Sequence, residues 1–144
     1  MLISKTVSTT TTTVNKALPQ SLSGIVTVKA NIRAEQTSAW KMAPYVVDSS
    51  GVQAVSVGFD GGYIKTYNGS TLTTVQSFTA GTWYELRMVI DTISDLFDLY
   101  VDGIRLVTDA SLRNPVTNIK TISFGIGTGH IGSFYVDDVQ VLAP

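Results

Sequence analysis

The chain has 144 residues, enough for one domain with a sizeable core, and its hydrophobic share of 44% is ordinary. Charged residues make up only 15%, against about a quarter in a typical soluble protein, so Ser, Thr, Asn and Gly supply the polar surface, a balance that favours an all-β protein. The net charge of −1, the lack of cysteine and the lack of a long apolar run argue against nucleic-acid binding, thiolate chemistry and a membrane span.

The first quarter of the chain predicts strands separated by polar breaks. A short strand over 2–7 is followed by Ser8 and five threonines, which predict a loop or a soluble edge strand. Pro19-Gln20-Ser21 then breaks the chain. Residues 24–34 form a long alternating strand whose inward residues are Val26, Val28, Ala30 and Ile32 and whose outward residues are Thr27, Lys29, Asn31 and Arg33.

Residues 40–78 predict two hairpins. The strand over 40–47 contains Pro44, which indicates an edge position, a bulge or a bend, and it returns as 52–59 after a turn at 48–51. Strands over 63–67 and 71–78 flank Asn68-Gly69, a dipeptide typical of hairpin turns.

The most regular stretch is 81–103. Tyr84, Leu86, Met88 and Ile90 share one face of a strand, and Trp83, Glu85, Arg87 and Val89 share the other. Another strand follows with Phe97, Leu99 and Val101 on one face, and Asp102-Gly103 is a hairpin turn in which both residues tolerate positive φ.

The last part predicts a brief strand over 104–107, a loop over 108–115, a strand over 119–126, a Gly-rich bend and a final strand over 134–142. The total of about eleven to thirteen short strands is typical of a sandwich or a barrel. We therefore predict that residues 1–144 form one two-sheet jelly roll.

Several stretches carry a family resemblance. Gly81-Thr82-Trp83-Tyr84, the strand that ends at Asp91 and the segment 97–103 resemble the concanavalin A-like jelly rolls, laminin-G-like modules in particular. The segment 134–139 resembles the last strand of carbohydrate-binding modules attached to bacterial polysaccharide-degrading enzymes, and the segments 33–40, 44–51 and 55–69 look like non-catalytic modules of secreted glycosidases and lyases. The resemblance implies an antiparallel jelly-roll sandwich, a ligand on the concave sheet or in edge loops, and a structural calcium ion near the final strand.

The acidic residues argue against catalysis. Retaining glycosidases need two carboxyl groups about 5–5.5 Å apart, but neither of the two glutamates, Glu35 and Glu85, lies in a motif of that kind. Most aspartates stand at predicted turns, where the side chain usually caps the backbone. His130, the one histidine, lies in the Gly-rich bend, and no Gly-x-Ser-x-Gly motif is present. The sequence predicts that the protein is not an enzyme.

Aromatic side chains are the candidate ligand contacts, because the apolar faces of sugar rings stack on Trp and Tyr while a few polar groups orient the ligand. The residues that we predict to line a groove are Trp40, Tyr45, Tyr63, Tyr67, Asn31 and Arg33. A competing interpretation makes Trp40 and Tyr45 partly buried rim residues. Trp83 is assigned to the scaffold.

Asp137 and Asp138 are the candidate metal ligands. Alternation along a strand sends neighbouring side chains to opposite faces, so both can enter one site only across a bulge. One aspartate could ligate calcium, with backbone carbonyls and an N-terminal residue completing a shell of six to eight oxygens. The alternative is a solvated acid and a side chain that caps a turn.

The predicted function is a non-catalytic carbohydrate-binding module that binds a polysaccharide or oligosaccharide for a covalently attached glycosidase or lyase. The alternative is a structural or adhesion module that spaces larger domains and binds no small ligand. The abrupt start at Met1, without a signal peptide, predicts a module cut from a longer chain. We further expect a monomer, and a parent protein that is secreted or lies at the cell surface.

Overall fold

The computed structural model describes residues 1–7 and 9–143; Ser8, at the start of the threonine run, and Pro144, at the end of the predicted module, lie outside the described residues. The described residues form twelve strands and no helix, and so include no helix suited to crossing a membrane. The strands are β1 (Leu2–Lys5), β2 (Thr12–Leu22), β3 (Ile25–Ala34), β4 (Lys41–Val47), β5 (Gln53–Asp60), β6 (Tyr63–Asn68), β7 (Thr71–Ser77), β8 (Trp83–Asp91), β9 (Leu96–Val101), β10 (Ile104–Ser111), β11 (Ile119–Ile126) and β12 (Gly132–Leu142).

The strands form two six-stranded antiparallel sheets. Sheet A has the order β1-β12-β3-β8-β9-β10, and sheet B has the order β2-β11-β4-β5-β6-β7. The chain crosses from one sheet to the other between β3 and β4, so these two strands, although neighbours in sequence, have no common ladder. The predicted two-sheet jelly-roll sandwich is confirmed.

The core lies between the two sheets, and alternation assigns the inner residues as predicted. Every second residue of β3, of β9 and of β8 from Leu86 onward is buried, including Val28, Met88 and Leu99. Phe59 of sheet B bridges the layers, because its ring centroid lies 6.2 Å from that of Tyr84 in sheet A. Since the inner positions of both sheets are filled by apolar side chains, a register slip of one residue would bury the polar face instead.

Two strands continue beyond their predicted bounds. β2 runs through Pro19, which the sequence assigned to a break; β2 is an edge strand, where a missing N–H costs no ladder bond. β10 extends to Ser111 through residues predicted as loop, with irregular pairing and a φ of 49° at Asp109. Pro44 lies in β4, an interior strand, at an irregularity in the pairing with both neighbours, so the predicted bulge is confirmed and the edge position is wrong.

Lys41 stabilises the loop between β3 and β4, which connects the two sheets. Its side chain is fully buried, and Nζ donates to the carbonyl oxygens of Gln36 at 3.0 Å, Ala39 at 3.1 Å and Ser38. Burial lowers the pKa of Lys41 from 10.5 to about 8, an effect that the nearby Asp60 carboxylate partly offsets. The ammonium therefore satisfies backbone acceptors that the crossing loop leaves without strand partners.

We expect Lys41→Met to lower the free energy of unfolding at pH 7 by about 1–3 kcal/mol, because three carbonyl groups lose their shared donor. In the wild type the folded pKa lies below the unfolded value, so the unfolded chain binds the extra proton between pH 8 and 10.5. Unfolding free energy should therefore rise with pH across that window, and Lys41→Met should remove the rise. Urea unfolding at pH 7 and 9.5 measures both effects.

Lys120→Met is the matched control, since Lys120 also donates to two carbonyls but is only partly buried. A Lys41→Met protein as stable as wild type at pH 7 would contradict the bridging role.

Candidate functional site

The outer face of sheet B has a floor of small residues. Ser56 and Gly58 of β5 and Ser123 and Gly125 of β11 alternate with inward-facing residues and therefore point outward. All four are nevertheless buried, Ser56 to 1% exposure. Ser56 Oγ has no hydrogen-bond partner among the described residues. Larger side chains on both sides shield this floor, so the face is a shallow depression.

Trp40 covers the centre of the floor. It immediately precedes β4, and a Cβ placed on Gly58 would lie 2.4, 2.6 and 2.7 Å from three carbons of the indole benzo ring. Because the three distances are nearly equal, the ring lies with its face against Gly58, and its other face points away from the sheet. Only a glycine leaves room for this contact.

Two tyrosines flank Ser56. Tyr45 of β4 pairs with Ser56 on one side and with Ser123 on the other. Tyr67 of β6 carries the guanidinium of Arg113, whose Cζ lies 4.0 Å from the ring centroid. One face of Tyr67 is thus occupied by a cation–π contact.

Backbone and side-chain bonds hold Arg113 in place. Its N–H donates to the carbonyl oxygen of Ala54 at 2.7 Å, and Nη1 donates to Oε1 of Gln53. The loop after β10 therefore crosses to sheet B and delivers a donor-rich group beside Tyr67.

Lys65 and Tyr63 complete the β6 side. Lys65 pairs with Gly58 across the ladder, and its Nζ lies 2.9 Å from Oδ2 of Asp60. Tyr63 stands at the end of β6 with 47% of its surface exposed. Tyr63, Lys65 and Tyr67 share a face, as predicted, while Ile64 and Thr66 are buried opposite. We call Trp40, Tyr45, Lys65, Tyr67 and Arg113, with the floor they surround, the sheet B depression.

Asn31 and Arg33 do not belong to this depression. Both point outward from β3, which lies in sheet A, whereas the four predicted aromatics lie in or next to strands of sheet B. The prediction of one wall containing all six residues is therefore wrong. The prediction fails because the chain crosses from one sheet to the other between β3 and β4, which places side chains that are near in sequence on opposite faces of the sandwich.

Trp83 differs from its sequence interpretation, and Arg113 is a site residue that the sequence analysis did not name. Trp83 is 43% exposed on the outer face of sheet A and is no part of the core. The sequence pattern indicates this exposure, since alternation places Trp83 with Glu85 and Arg87, opposite the inward Tyr84. Arg113 gives no such signal, because its contact with Tyr67 depends on a loop from a distant strand.

Most of the acidic residues form capping hydrogen bonds or ion pairs. Asp48 Oδ1 accepts from the N–H groups of Ser50 and Val52, both at 2.8 Å, and Asp102 Oδ1 accepts from Glu85 N–H at 2.8 Å. Hydrogen bonds from the Ser94 hydroxyl and the Ile93 N–H hold the pKa of Asp91 below its usual value. The predicted capping by turn aspartates is confirmed at these positions.

The two glutamates are each paired with a cation. Glu35 lies 2.7 Å from Arg33 Nε and Glu85 lies 3.1 Å from Lys29 Nζ. In the described part of the chain, no group of three His, Asp or Glu side chains gathers around one point.

Asp137 and Asp138 lie on a bulge of β12. The pairing with β3 shifts between Asp137 and Gln140, and Asp138 has a φ of 49°. Asp137 Oδ1 accepts from the Asp138 N–H at 2.9 Å, and Asp138 Oδ1 accepts from Gln140 Nε2 at 2.8 Å. Because Gln140 pairs with the outward Lys29, this bond holds Asp138 at the outer face as well. The bulge that both residues would need to share a site is present, and both are exposed.

The sequence matches the family model described as "Sialidase-like, CBM domain" over residues 11–135, most of the chain. The chain belongs to this family of carbohydrate-binding modules (CBM). A sequence search of the curated proteins returns no match.

Solved structures share the fold of this sialidase-like CBM domain. It superposes on a sialidase with a TM-score of 0.83 at 17% identity, covering 93% of this chain and 14% of the sialidase. The cellulose-induced protein Cip1 superposes with a TM-score of 0.65 at 13% identity, covering 90% of this chain and 72% of Cip1. Alginate lyase AlgAT5 of polysaccharide lyase family 7 gives 0.64 at 12% identity, with coverage of 84% and 60%. At these low sequence identities the structural similarity shows a shared β-sandwich fold.

We expect Gly58→Ala to displace the Trp40 indole from the floor, because the new methyl group would overlap the ring. Tryptophan emission should shift to longer wavelength as the ring enters solvent, measured in a Trp83→Phe background so that Trp40 is the one tryptophan.

Gly127→Ala is the matched control. A Cβ there would lie 3.8 Å from Trp40 Cδ1, an ordinary contact, so the spectrum should not change. Unchanged emission in Gly58→Ala would contradict the face contact between the indole and β5.

Proposed function

We propose that the sheet B depression binds a neutral stretch of a polysaccharide or oligosaccharide. The observation that carries the proposal is the Trp40 indole, which lies flat on Gly58 and turns its other face away from the sheet, beside Tyr45 and Tyr67. A flat aromatic surface with nearby hydrogen-bonding groups suits the apolar face of a sugar ring and its hydroxyls.

The polar groups at the depression suit the hydroxyl groups of a sugar. Lys65 is already paired with Asp60, and Arg113 is engaged by Gln53 and the Tyr67 ring. What remains is a set of N–H and O–H groups, with the unpartnered Ser56 hydroxyl beneath them. Such groups orient hydroxyls, and they do not require an ionised ligand.

We propose a non-catalytic role for the chain. Glycoside hydrolysis uses a pair of free carboxyl groups, whereas the two glutamates form ion pairs with Arg33 and Lys29. Membership of a family of carbohydrate-binding domains supports the same role.

We also propose that the chain works as a monomeric module within a larger secreted or cell-surface protein that contains a glycosidase or lyase domain. The chain spans 14% of the sialidase that it resembles and 60% of the alginate lyase, so a fold of this size occurs as part of larger chains.

We expect Trp40→Ala and Tyr67→Ala each to weaken binding roughly tenfold or more, because both remove a ring on which a sugar can stack. Affinity gel electrophoresis with a panel of neutral polysaccharides identifies the ligand, and calorimetry with its oligosaccharide gives the dissociation constants.

Tyr100→Ala is the matched control, since Tyr100 also carries a stacked arginine, Arg87 at 3.6 Å, but lies in sheet A. Unaltered binding by Trp40→Ala and Tyr67→Ala would remove the depression as the site. If no polysaccharide of the panel binds, the spacer role is favoured instead.

We propose that Asp137 and Asp138 bind a calcium ion at the surface of the domain. The bulge supplies two exposed carboxylates, so most of the six to eight oxygens would come from backbone groups and water. We expect 10 mM calcium to raise the melting temperature of the wild type, since an ion that binds the folded state alone stabilises it. The double variant Asp137→Asn, Asp138→Asn should show no rise, and equal melting temperatures of the wild type in calcium and in EDTA would contradict the site.

A further inference from the structure

A cavity opens at the end of the sandwich where β1 stops and β12 starts. Its volume is about 450 Å³, and its walls come from β1, from the loop between β3 and β4 and from the start of β12. A cavity of this size holds one small ligand. We call it the Lys5 pocket, and its polar lining consists of Ser4, Lys5, Thr6, Gln36, Ser38 and Ser133.

Lys5 is the one charged residue that lines this pocket, and its side chain is buried. It faces inward at the end of β1 with 5% of its surface exposed, and Nζ donates to the carbonyl oxygen of Gly127 at 2.5 Å. An ammonium group carries three N–H groups. Within residues 1–7 and 9–143, the other two have no acceptor, and no carboxylate pairs with Lys5. The buried Lys41 differs, because its Nζ has three carbonyl acceptors.

The rest of the polar lining offers hydroxyl groups. Among the described contacts, the hydroxyls of Ser4, Thr6 and Ser38 have no hydrogen-bond partner. Gln36 is fixed, since its Nε2 donates to Ser133 Oγ at 3.1 Å and its Oε1 accepts from the Ser133 N–H at 3.1 Å. Ser133 Oγ is the acceptor in the first bond, so its own hydrogen remains available to a ligand.

The walls of the pocket are held in place before any ligand binds. A Cβ placed on Gly132 would lie 2.7 Å from Gln36 Oε1, so only a glycine lets Gln36 lie this close to β12. Lys41 donates to the carbonyl oxygens of Gln36 and Ser38 and so fixes the loop on the other side. The donors therefore need little rearrangement to meet a ligand.

Charge and donor geometry together favour a tetrahedral anion. No lining residue is acidic, and Glu35, the neighbour of Gln36 in sequence, is paired with Arg33. A planar carboxylate is matched best by the two parallel N–H groups of an arginine, whereas a lysine acts as a point charge. One ammonium and hydroxyls on several walls instead suit an ion whose oxygens point in different directions.

We propose that the Lys5 pocket binds a tetrahedral oxyanion, as free sulfate or phosphate or as the sulfate or phosphate ester of a larger molecule. The Lys5 ammonium donates to one or two of its oxygens, and the hydroxyls of Ser4, Ser38 and Ser133 donate to the others. The pocket shares no residue with the sheet B depression and its ligand is charged. The inference therefore goes beyond the proposed function and does not depend on it.

Calorimetry on the intact chain tests the pocket with sodium sulfate, sodium phosphate and sodium acetate, and with the pair galactose 6-sulfate and galactose. Sulfate and phosphate should bind at least about tenfold more tightly than acetate. Lys5→Met should weaken sulfate binding at least about tenfold, because a charge-assisted bond is lost. It should not lower the melting temperature in the absence of the anion, since Met replaces an unpaired buried charge by an apolar chain. Ser38→Phe, which fills the pocket and keeps the ammonium, should also weaken sulfate binding.

The sugar pair distinguishes the two sources of the anion. Galactose 6-sulfate that binds at least about tenfold more tightly than sulfate identifies a sugar ester as the ligand, whereas an affinity no higher than that of sulfate identifies the free ion. Binding of galactose as tight as that of galactose 6-sulfate would overturn the inference, because the pocket would then not recognise the anion.

Lys16→Met is the matched control, since Lys16 is an exposed lysine of β2 bonded to a single carbonyl oxygen, that of Val139 at 3.4 Å, and sulfate binding should not change. No heat with sulfate or phosphate, equal affinity for acetate, or unaltered sulfate binding by Lys5→Met would overturn the inference. If Lys5→Met does not fold, unaltered sulfate binding by Ser38→Phe overturns it. Failure of the sheet B depression is seen separately, as neutral binding that Trp40→Ala leaves unaltered.

Discussion

The contact between the inner faces of the two sheets determines every surface of this domain. Phe59 and Tyr84 meet across the layers, and the other inner residues of β3 and β8 are buried. Once those positions are fixed, the alternate positions must face solvent. Trp40, Gly58 and Tyr67 stand on one outer face, and Arg33 and Trp83 on the other, as a direct consequence of which neighbours fill the core.

The local pattern of the sequence was sufficient to find strands and their inner faces. Val28, Met88 and Leu99 are buried as their alternation predicts, and the positive φ values at Asp102 and Gly103 match the predicted hairpin turn. Strand ends were less accurate where an edge strand tolerated Pro19 or an irregular ladder carried β10 past Val107. In both cases hydrogen bonds to a partner strand overrode the local signal.

Pairing between distant strands was the part that the sequence could not provide. β12 pairs with β3 across about a hundred residues of chain, and β11 pairs with β4 across about eighty. The first of these ladders places Arg33 beside Tyr135, and the second places Tyr45 beside Ser123. The aromatic residues could be chosen from composition and spacing, but their distribution over two surfaces depends on contacts that a single sequence does not encode locally.

The pairing of β1 with β12 determines the direction in which each end of the chain points. β1 runs antiparallel to β12. The Met1 ammonium donates to the Val136 carbonyl oxygen at 2.6 Å, and the Val136 N–H donates to the Met1 carbonyl oxygen. Any chain continued before Met1 would head toward the same end of the sandwich as any chain continued after Leu142, about 20 Å further along β12. Trp40 lies at the other end, near Gly127 and the start of β12. If this domain is joined to a larger chain, both connections would leave from one end and the indole end would lie outermost, a geometry suited to reaching a surface and poorly suited to linking domains in a straight row.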